Sequence, residues 1–376
     1  MEKFEIVVTT MFGIESIVAK EIRNLGYETK EVIDGRITFY GDFEAVARAN
    51  LWLRCAERIF IKVGEFEAVT FDELFDKTKA LDWSKWLYKD SAFPVNGFSV
   101  KSQLFSIRDC QAIIKKAIVE SLSASYKMSI FPETGSLYKI EFSIMKDKVS
   151  LMIDTSGDSL HKRGYRRRSN MAPIKETIAA AIINMSRFSY NGIFCDPFCG
   201  SGTFPIEAAM IAKNIAPGLN RSFAFEDFRQ MDKKFLKDAR DEAFSLIRKT
   251  NLRVLASDID YDCVDLTISN AKKARVNDVI FVKRLPVSEF KNDEIGGTIV
   301  CNPPYGERLL DLNESEKIIK DLGRVYKGLK GWNLFAITPN EKFEALFGKK
   351  ATKKRKLYNG MIKCDLYQYF SKADRL

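Results

Sequence analysis

Between Ile193 and Thr338 the chain alternates short strand-like runs with stretches of helical period, and this alternation limits the fold more than any other feature. The strand-like runs are Ile193 to Asp196, Arg253 to Asp258, Val279 to Lys283, Thr298 to Asn302 and Leu334 to Thr338. The helical stretches open at Thr203 and span Asp262 to Ala274 and Glu316 to Leu329. Apolar strands without polar alternation are covered on both faces, and strands separated by helices pair in parallel. The expected fold is α/β, a mostly parallel, doubly wound, Rossmann-like sheet. Ligands bind such sheets at the carboxyl ends of the strands, and the residues of chemical interest fall there.

The first of those ends is a glycine turn. Ile193-Phe194-Cys195 runs into Asp196-Pro197-Phe198-Cys199-Gly200-Ser201-Gly202-Thr203, followed by an apolar helix from Phe204 to Ile211. A strand, a glycine turn and a helix N-terminus let a ligand approach bare backbone. The spacing is not G-x-G-x-x-G and no Lys-Ser/Thr pair follows, which disfavours nucleoside triphosphates. Asp196, before the turn, suits an ammonium group, and Asp258, at the next strand end, could accept from ribose hydroxyls. S-adenosylmethionine carries both groups together with a sulfonium methyl.

Asn302-Pro303-Pro304-Tyr305 ends a later strand. The Asn302 side-chain oxygen and the Pro303 carbonyl could accept the hydrogens of an exocyclic amine and draw its nitrogen, delocalised into an aromatic ring, toward tetrahedral geometry. Tyr305 could stack on a base taken out of its helix. An ordinary strand-end turn would also carry paired prolines.

The D-P-F-C-G-S-G-T loop, Asp258 within S-D-I-D, the N-P-P-Y-G-E-R segment and an upstream L-H-K-R-G-Y-R from Leu160 to Arg166 together resemble the THUMP-domain RNA guanine-N2 methyltransferases of bacteria. The likeness covers nearly the whole chain and is similar in particular to the N-terminal half of a bifunctional large-subunit ribosomal RNA methyltransferase. It implies a ferredoxin-like domain at residues 1–58, a THUMP RNA-binding domain at 59–160 and a class I methyltransferase domain at 161–376. From periodicity alone the first two regions read only as α+β. The implied reaction is methyl transfer from S-adenosyl-L-methionine to the exocyclic N2 of a guanine in 23S ribosomal RNA. A transfer-RNA guanine-N2 methyltransferase and a non-catalytic RNA-binding assembly factor are the alternatives. Asn302, Pro303, Pro304 and Tyr305 are then the catalytic segment. Asp196, Phe198, Cys199, Gly200, Ser201, Gly202, Thr203, Asp258, Ile259 and Asn302 hold the cofactor.

Composition agrees with this reading. A length of 376 residues calls for two or three domains, and no apolar run approaches the roughly 20 residues of a membrane span. The opening Met1-Glu2-Lys3-Phe4-Glu5 lacks the order of a signal peptide, so the expected compartment is the cytoplasm. Seven scattered cysteines do not make a disulfide framework, and a single histidine, His161, nearly excludes histidine-based zinc or triad chemistry; no metal is expected. A net charge of +10 points to nucleic acid. Two basic runs stand out, 161–168 and 349–356. The first is the expected RNA contact, through Lys162, Arg163, Tyr165, Arg166, Arg167 and Arg168, although a basic run can equally be a solvated loop or a fixed linker.

Two features depart from a minimal fold. Asp196 and Asp258 lie 62 positions apart, and the intervening Ala216-Pro217-Gly218 loop and the helix Lys234 to Lys249 read as an insertion near the active-site rim. The third strand ends in Lys283-Arg284-Leu285-Pro286-Val287 with no carboxylate, so adenine recognition is expected from backbone groups at Leu285 to Val287.

Overall fold

A computed structural model of the chain describes residues 2–166, 174–304, 312–360 and 362–371. The amino-terminal half opens with β1 (Phe4–Thr10), α1 (Glu15–Asn24), β2 (Thr29–Ile33), β3 (Arg36–Gly41) and α2 (Phe43–Trp52). It continues through β4 (Ala56–Glu67), α3 (Phe71–Lys79), β5 (Val95–Val100), α4 (Ile107–Tyr126), β6 (Ile140–Met145) and β7 (Lys148–Asp154). All seven strands belong to one sheet, ordered β2-β3-β1-β4-β7-β6-β5. The twelve-residue β4 pairs with β1 on one side and β7 on the other, so the two α+β units share a strand.

Strand alternation sorts the side chains between the two faces of this sheet. Ile6, Val8, Ile59 and Ile61 join Val18, Ile22 and Val46 of the helices in the main core, while Val7, Phe60 and Met152 form a small cluster of their own. The Lys146-Asp147 turn joins β6 to β7 with positive φ at both residues, 52° and 66°, the backbone of a tight two-residue hairpin. The helix expected from Phe43 to about Arg58 ends at Trp52. The carboxylate of Glu21, on α1, takes the N–H groups of Arg54 and Cys55 at 3.2 and 3.1 Å, and the chain turns from there into β4.

The second half contains α5 (Glu176–Ser186), β8 (Ile193–Asp196), α6 (Thr203–Ala212), α7 (Lys233–Ser245), β9 (Arg253–Asp258), α8 (Tyr261–Lys273) and β10 (Ile280–Arg284). It ends with β11 (Gly297–Cys301), α9 (Leu312–Gly328), β12 (Trp332–Thr338), α10 (Phe343–Phe347), β13 (Lys353–Asn359) and β14 (Ile362–Tyr369). The sheet order is β10-β9-β8-β11-β12-β14-β13, parallel through β12, with β14 antiparallel to both its neighbours. Strand order reverses at β8, which places a crevice above its carboxyl end. Helix α6 is buried along its whole length, which explains its lack of polar periodicity.

The segment that reads as a rim insertion instead joins the two halves. Gly218 donates its N–H to Leu51 O at 3.0 Å and Phe225 to Thr155 O at 3.1 Å. Phe228 stacks on Tyr138 with ring centroids 4.4 Å apart, and Glu242 on α7 takes both Nε and Nη2 of Arg48. A side chain at 218 would meet the Leu51 backbone at 2.8 Å, so glycine there permits the close approach. Among the described residues no helix is long and apolar enough to cross a membrane.

Candidate functional site

Register places the three sequence-predicted strand ends in one crevice. Asp196 on β8 is level with Ala256 on β9, so Asp258 lies two residues farther along. Ile299 on β11 is level with Cys195, which sets Asn302 two residues beyond Asp196 as well. Asp258 and Asn302 therefore stand at equal height on strands either side of β8, about 10 Å apart at the usual strand spacing. The glycine turn rises between them.

That turn is held from outside its own sequence. Asp196 Oδ1 accepts the Phe198 N–H at 3.0 Å, which starts the bend. The N–H of Cys199 donates to Ser257 O and that of Gly200 to Asp258 Oδ2, both at 2.9 Å, tying the turn to the end of β9. Gly200 and Gly202 have φ of +53° and +85°, a region side chains avoid. Two residues of α8 that the sequence did not single out complete the clamp. Thr267 Oγ1 donates to Gly200 O and Asn270 Nδ2 to Ser201 O, each at 2.9 Å and both residues buried. A Cβ on Gly202 would come within 2.9 Å of Thr267 Cγ2, so the helix and the loop fit only through the glycine. The signal was available: two polar residues three apart on the covered face of an amphipathic helix.

The electrostatics suit a cationic ligand with hydroxyls. Asp196 is 1% exposed; burial pushes its carboxyl well up, and the Phe198 N–H only partly offsets this. A nearby ammonium would stabilise its ionised form. Burial likewise raises Asp258, against hydrogen bonds from Asp260 and Gly200; the carboxylate keeps lone pairs for further donors. Ser201 Oγ and Ser257 Oγ are buried beside the turn without a hydrogen-bond partner. Helix α6 begins at Gly202 with no side-chain cap, leaving its first amides to a ligand. Ile259 is 65% exposed at the rim, an apolar surface beside Asp258. Phe198 is half-buried, while Cys199 and Thr203 are buried. These residues fit S-adenosylmethionine group by group. The expectation for adenine narrows: Leu285 donates its N–H to Asp258 O and Pro286 has none, so donors in that stretch reduce to Val287.

Asn302 is half-buried, Pro303 buried and Pro304 half-buried at the end of β11. Tyr305 lies outside the described residues, as do Glu307, Arg308, Arg167 and Arg168. Among the described residues no group of three or more His, Cys, Asp or Glu side chains could hold a metal ion.

The basic linker behaves differently from its sequence expectation. Arg163 is 2% exposed; it donates to Leu160 O and Arg54 O and pairs with Glu207 of α6 at 3.5 Å. Tyr165, equally buried, donates its hydroxyl to the same carboxylate at 3.2 Å. Neither side chain can reach RNA, because both lie between the two halves of the molecule. Arg166 pairs with Glu176 at 2.6 Å and Lys162 with Asp158 at 3.0 Å, and of the four only Lys162 is fully exposed.

Three family models match successive parts of the chain. Residues 163–368 match the model described as the RMKL-like methyltransferase domain, residues 5–60 an RlmL ferredoxin-like domain and residues 68–154 a THUMP domain. The chain is 48% identical, over 99% of its length and 97% of the relative's, to Bacillus subtilis YpsC, a protein provisionally named an RNA methyltransferase. It is 30% identical over 96% of its length to the ribosomal RNA large subunit methyltransferase K/L of Psychromonas ingrahamii, of which it spans 49%. Among solved structures, SMU.472, provisionally named a methyltransferase and complexed with SAH, superimposes with a TM-score of 0.93 at 45% identity, over 99% of both chains. A Listeria monocytogenes structure named by prediction as an N6-adenine-specific DNA methylase has the same TM-score at 49% identity, over 99% of this chain and 97% of its own.

Proposed function

The chain belongs to the RMKL-like methyltransferase family, and on that premise we propose that it transfers a methyl group from S-adenosylmethionine to the exocyclic N2 of a guanine in large-subunit ribosomal RNA. The observation that carries the proposal is the equal height of Asp258 and Asn302 on either side of the glycine turn, the first suited to a ribose and the second to an amine. The THUMP match and the similarity to ribosomal RNA methyltransferases favour RNA over DNA. The chain spans about half the length of those K/L relatives.

The cofactor supplies an electrophilic methyl on a sulfonium. Asp196 would hold its ammonium and Asp258 its ribose hydroxyls, while the uncapped start of α6 presents amide N–H groups to its carboxylate. Asn302 Oδ1 and the Pro303 carbonyl would accept the two amine hydrogens, which would localise the nitrogen lone pair and direct it along the transfer line; as the nitrogen–methyl bond forms the sulfur–methyl bond breaks, and the methylated nitrogen then releases one proton to solvent. Neither a metal nor a covalent intermediate is needed for this displacement. The test is single-turnover methyl transfer to a guanine-containing RNA and to the same RNA with inosine at the target, which lacks the N2 amine. Transfer to guanine alone supports the reading, and methylation of inosine at that position overturns it. Mapping modified guanines in ribosomal and transfer RNA of a deletion strain then identifies the substrate molecule.

A further inference from the structure

At the opposite end of the methyltransferase sheet lies a cleft of about 1320 Å³ between the two halves of the molecule. Its walls come from α1, the end of α2, the end of α5, the segments after α6 and α7, and the start of β13. Seven cations line it; Arg48 is paired with Glu242, and the other six are Lys20, Arg54, Arg187, Arg248, Lys353 and Arg355. Among the described residues none of the six has a carboxylate within 4.0 Å. Their contacts leave most of their donors open. Arg355 donates to the thioether of Met185, a weak acceptor, and Arg248 Nε donates to Ala212 O. Arg54 is 8% exposed, with Nη2 on Ile215 O and Nη1 buried without any partner. Two carboxylates also line the cleft, but Glu242 is occupied by Arg48 and Glu21 by backbone N–H groups.

The pocket beside the basic linker makes the contrast. It is smaller, about 540 Å³, and Lys162, Arg166 and Lys175 on its wall are paired with Asp158, Glu176 and Glu57. Arg221 there donates to five backbone carbonyls, those of Ser156, Asp158, Ser159, Lys162 and Ser222. The described cations of the linker run are neutralised or hydrogen-bonded within the protein. Those of the cleft, two of them from the second basic run, have no carboxylate partner and keep most of their donors open.

Aromatic rings interleave with the cleft cations. Tyr190 is 44% exposed with the Arg248 guanidinium 5.0 Å from its ring centre, and Trp52 and Phe370 are half-buried on the same wall. Unpaired cations alternating with flat rings form a surface for single-stranded nucleic acid, with phosphates on the charges and bases on the rings. We propose that this cleft binds a single-stranded segment of the substrate RNA remote from the methylated base, an inference that rests on the RNA methyltransferase reading. Tyr190 lies just before the start of β8 and Asp196 at its end, so the two sites are separated by at least the length of that strand, about 13 Å.

The test combines Arg187→Ala, Arg248→Ala and Arg355→Ala in the full chain and measures binding of a labelled, mixed-sequence single-stranded RNA across a salt series. Losing three phosphate contacts should flatten the slope of log K against log salt by about 2 and weaken binding about tenfold or more at physiological salt. Tyr190→Ala should weaken binding about tenfold with little change in slope, since stacking releases few counterions. S-adenosylhomocysteine affinity and the unfolding midpoint should match the parent in both variants. An unchanged slope in the triple variant overturns the proposal, as does a loss seen with duplex RNA but not with the single strand. Neither measurement requires turnover, so failure of the guanine-N2 assignment would appear separately, as absent methyl transfer by the parent protein.

Discussion

The glycine turn and the basic linker are both dense, contiguous signals in the sequence, and folding treats them in opposite ways. In the turn, Gly200 and Gly202 adopt backbone angles dictated by local chemistry, and the bare amides remain at the mouth of the crevice. In the linker, Arg163 and Tyr165 are drawn inside by Glu207, a residue more than 40 positions away. A signal carried by backbone geometry survives folding because glycine permits the angles whichever distant partners then hold the turn. One carried by side-chain charge depends on partners that the rest of the chain supplies.

The sharpest way to break this comparison is Arg163→Ala. Removing one member of a buried, hydrogen-bonded ion pair leaves Glu207 uncompensated and should cost about 3–5 kcal/mol in denaturant unfolding. Salt-dependent RNA binding by the folded fraction should keep its slope; a stable variant with a flattened slope would return Arg163 to the RNA surface. On the turn side, Asn302→Ala should lower single-turnover methyl transfer by roughly 10², about 2.7 kcal/mol, with cofactor affinity nearly intact. A normal rate would remove this residue from the chemistry. Asp258→Ala should weaken S-adenosylhomocysteine binding by about 1–3 kcal/mol in calorimetry, since it unties Gly200 as well as losing acceptors for the ligand. Unchanged affinity in a folded variant would mean that the carboxylate serves only the loop. Smallest of all, Lys162→Ala breaks an exposed pair and should change stability by less than about 1 kcal/mol, with a salt slope altered by no more than about 0.7. A larger slope change would place RNA on the linker after all.

What could be read in advance follows the same division. The parallel sheet and the placing of the motif residues at its strand ends were legible because apolar runs, turn residues and helix periods are local. The Lys146-Asp147 hairpin was legible for the same reason. Thr267 and Asn270 were overlooked because polar residues on a charged helix look solvent-facing until the glycine turn is laid against them. The Ala216-Pro217-Gly218 loop and the helix Lys234 to Lys249 looked like a rim insertion because their partners, Leu51 and Arg48, belong to the other half of the chain. The cleft was legible only in part: Lys353 and Arg355 belong to the second basic run, while Lys20, Arg54, Arg187 and Arg248 come from segments that only the fold brings beside it.

The shared strand β4 also sets a schedule for synthesis. Phe60 and Ile61 pair on one side with Val7 and Ile6, already made, and on the other with Asp154 and Ile153, which emerge on the order of ten seconds later at ordinary elongation rates. During that interval the nascent sheet ends in an open edge, the kind of surface that recruits wrong strands. Lys62, Glu65 and Glu67 put charge along the edge, and the register shift between Lys62 and Gly64 bends it out of line. The strand that joins the two units thus carries its own protection against aggregation while it waits for its second neighbour.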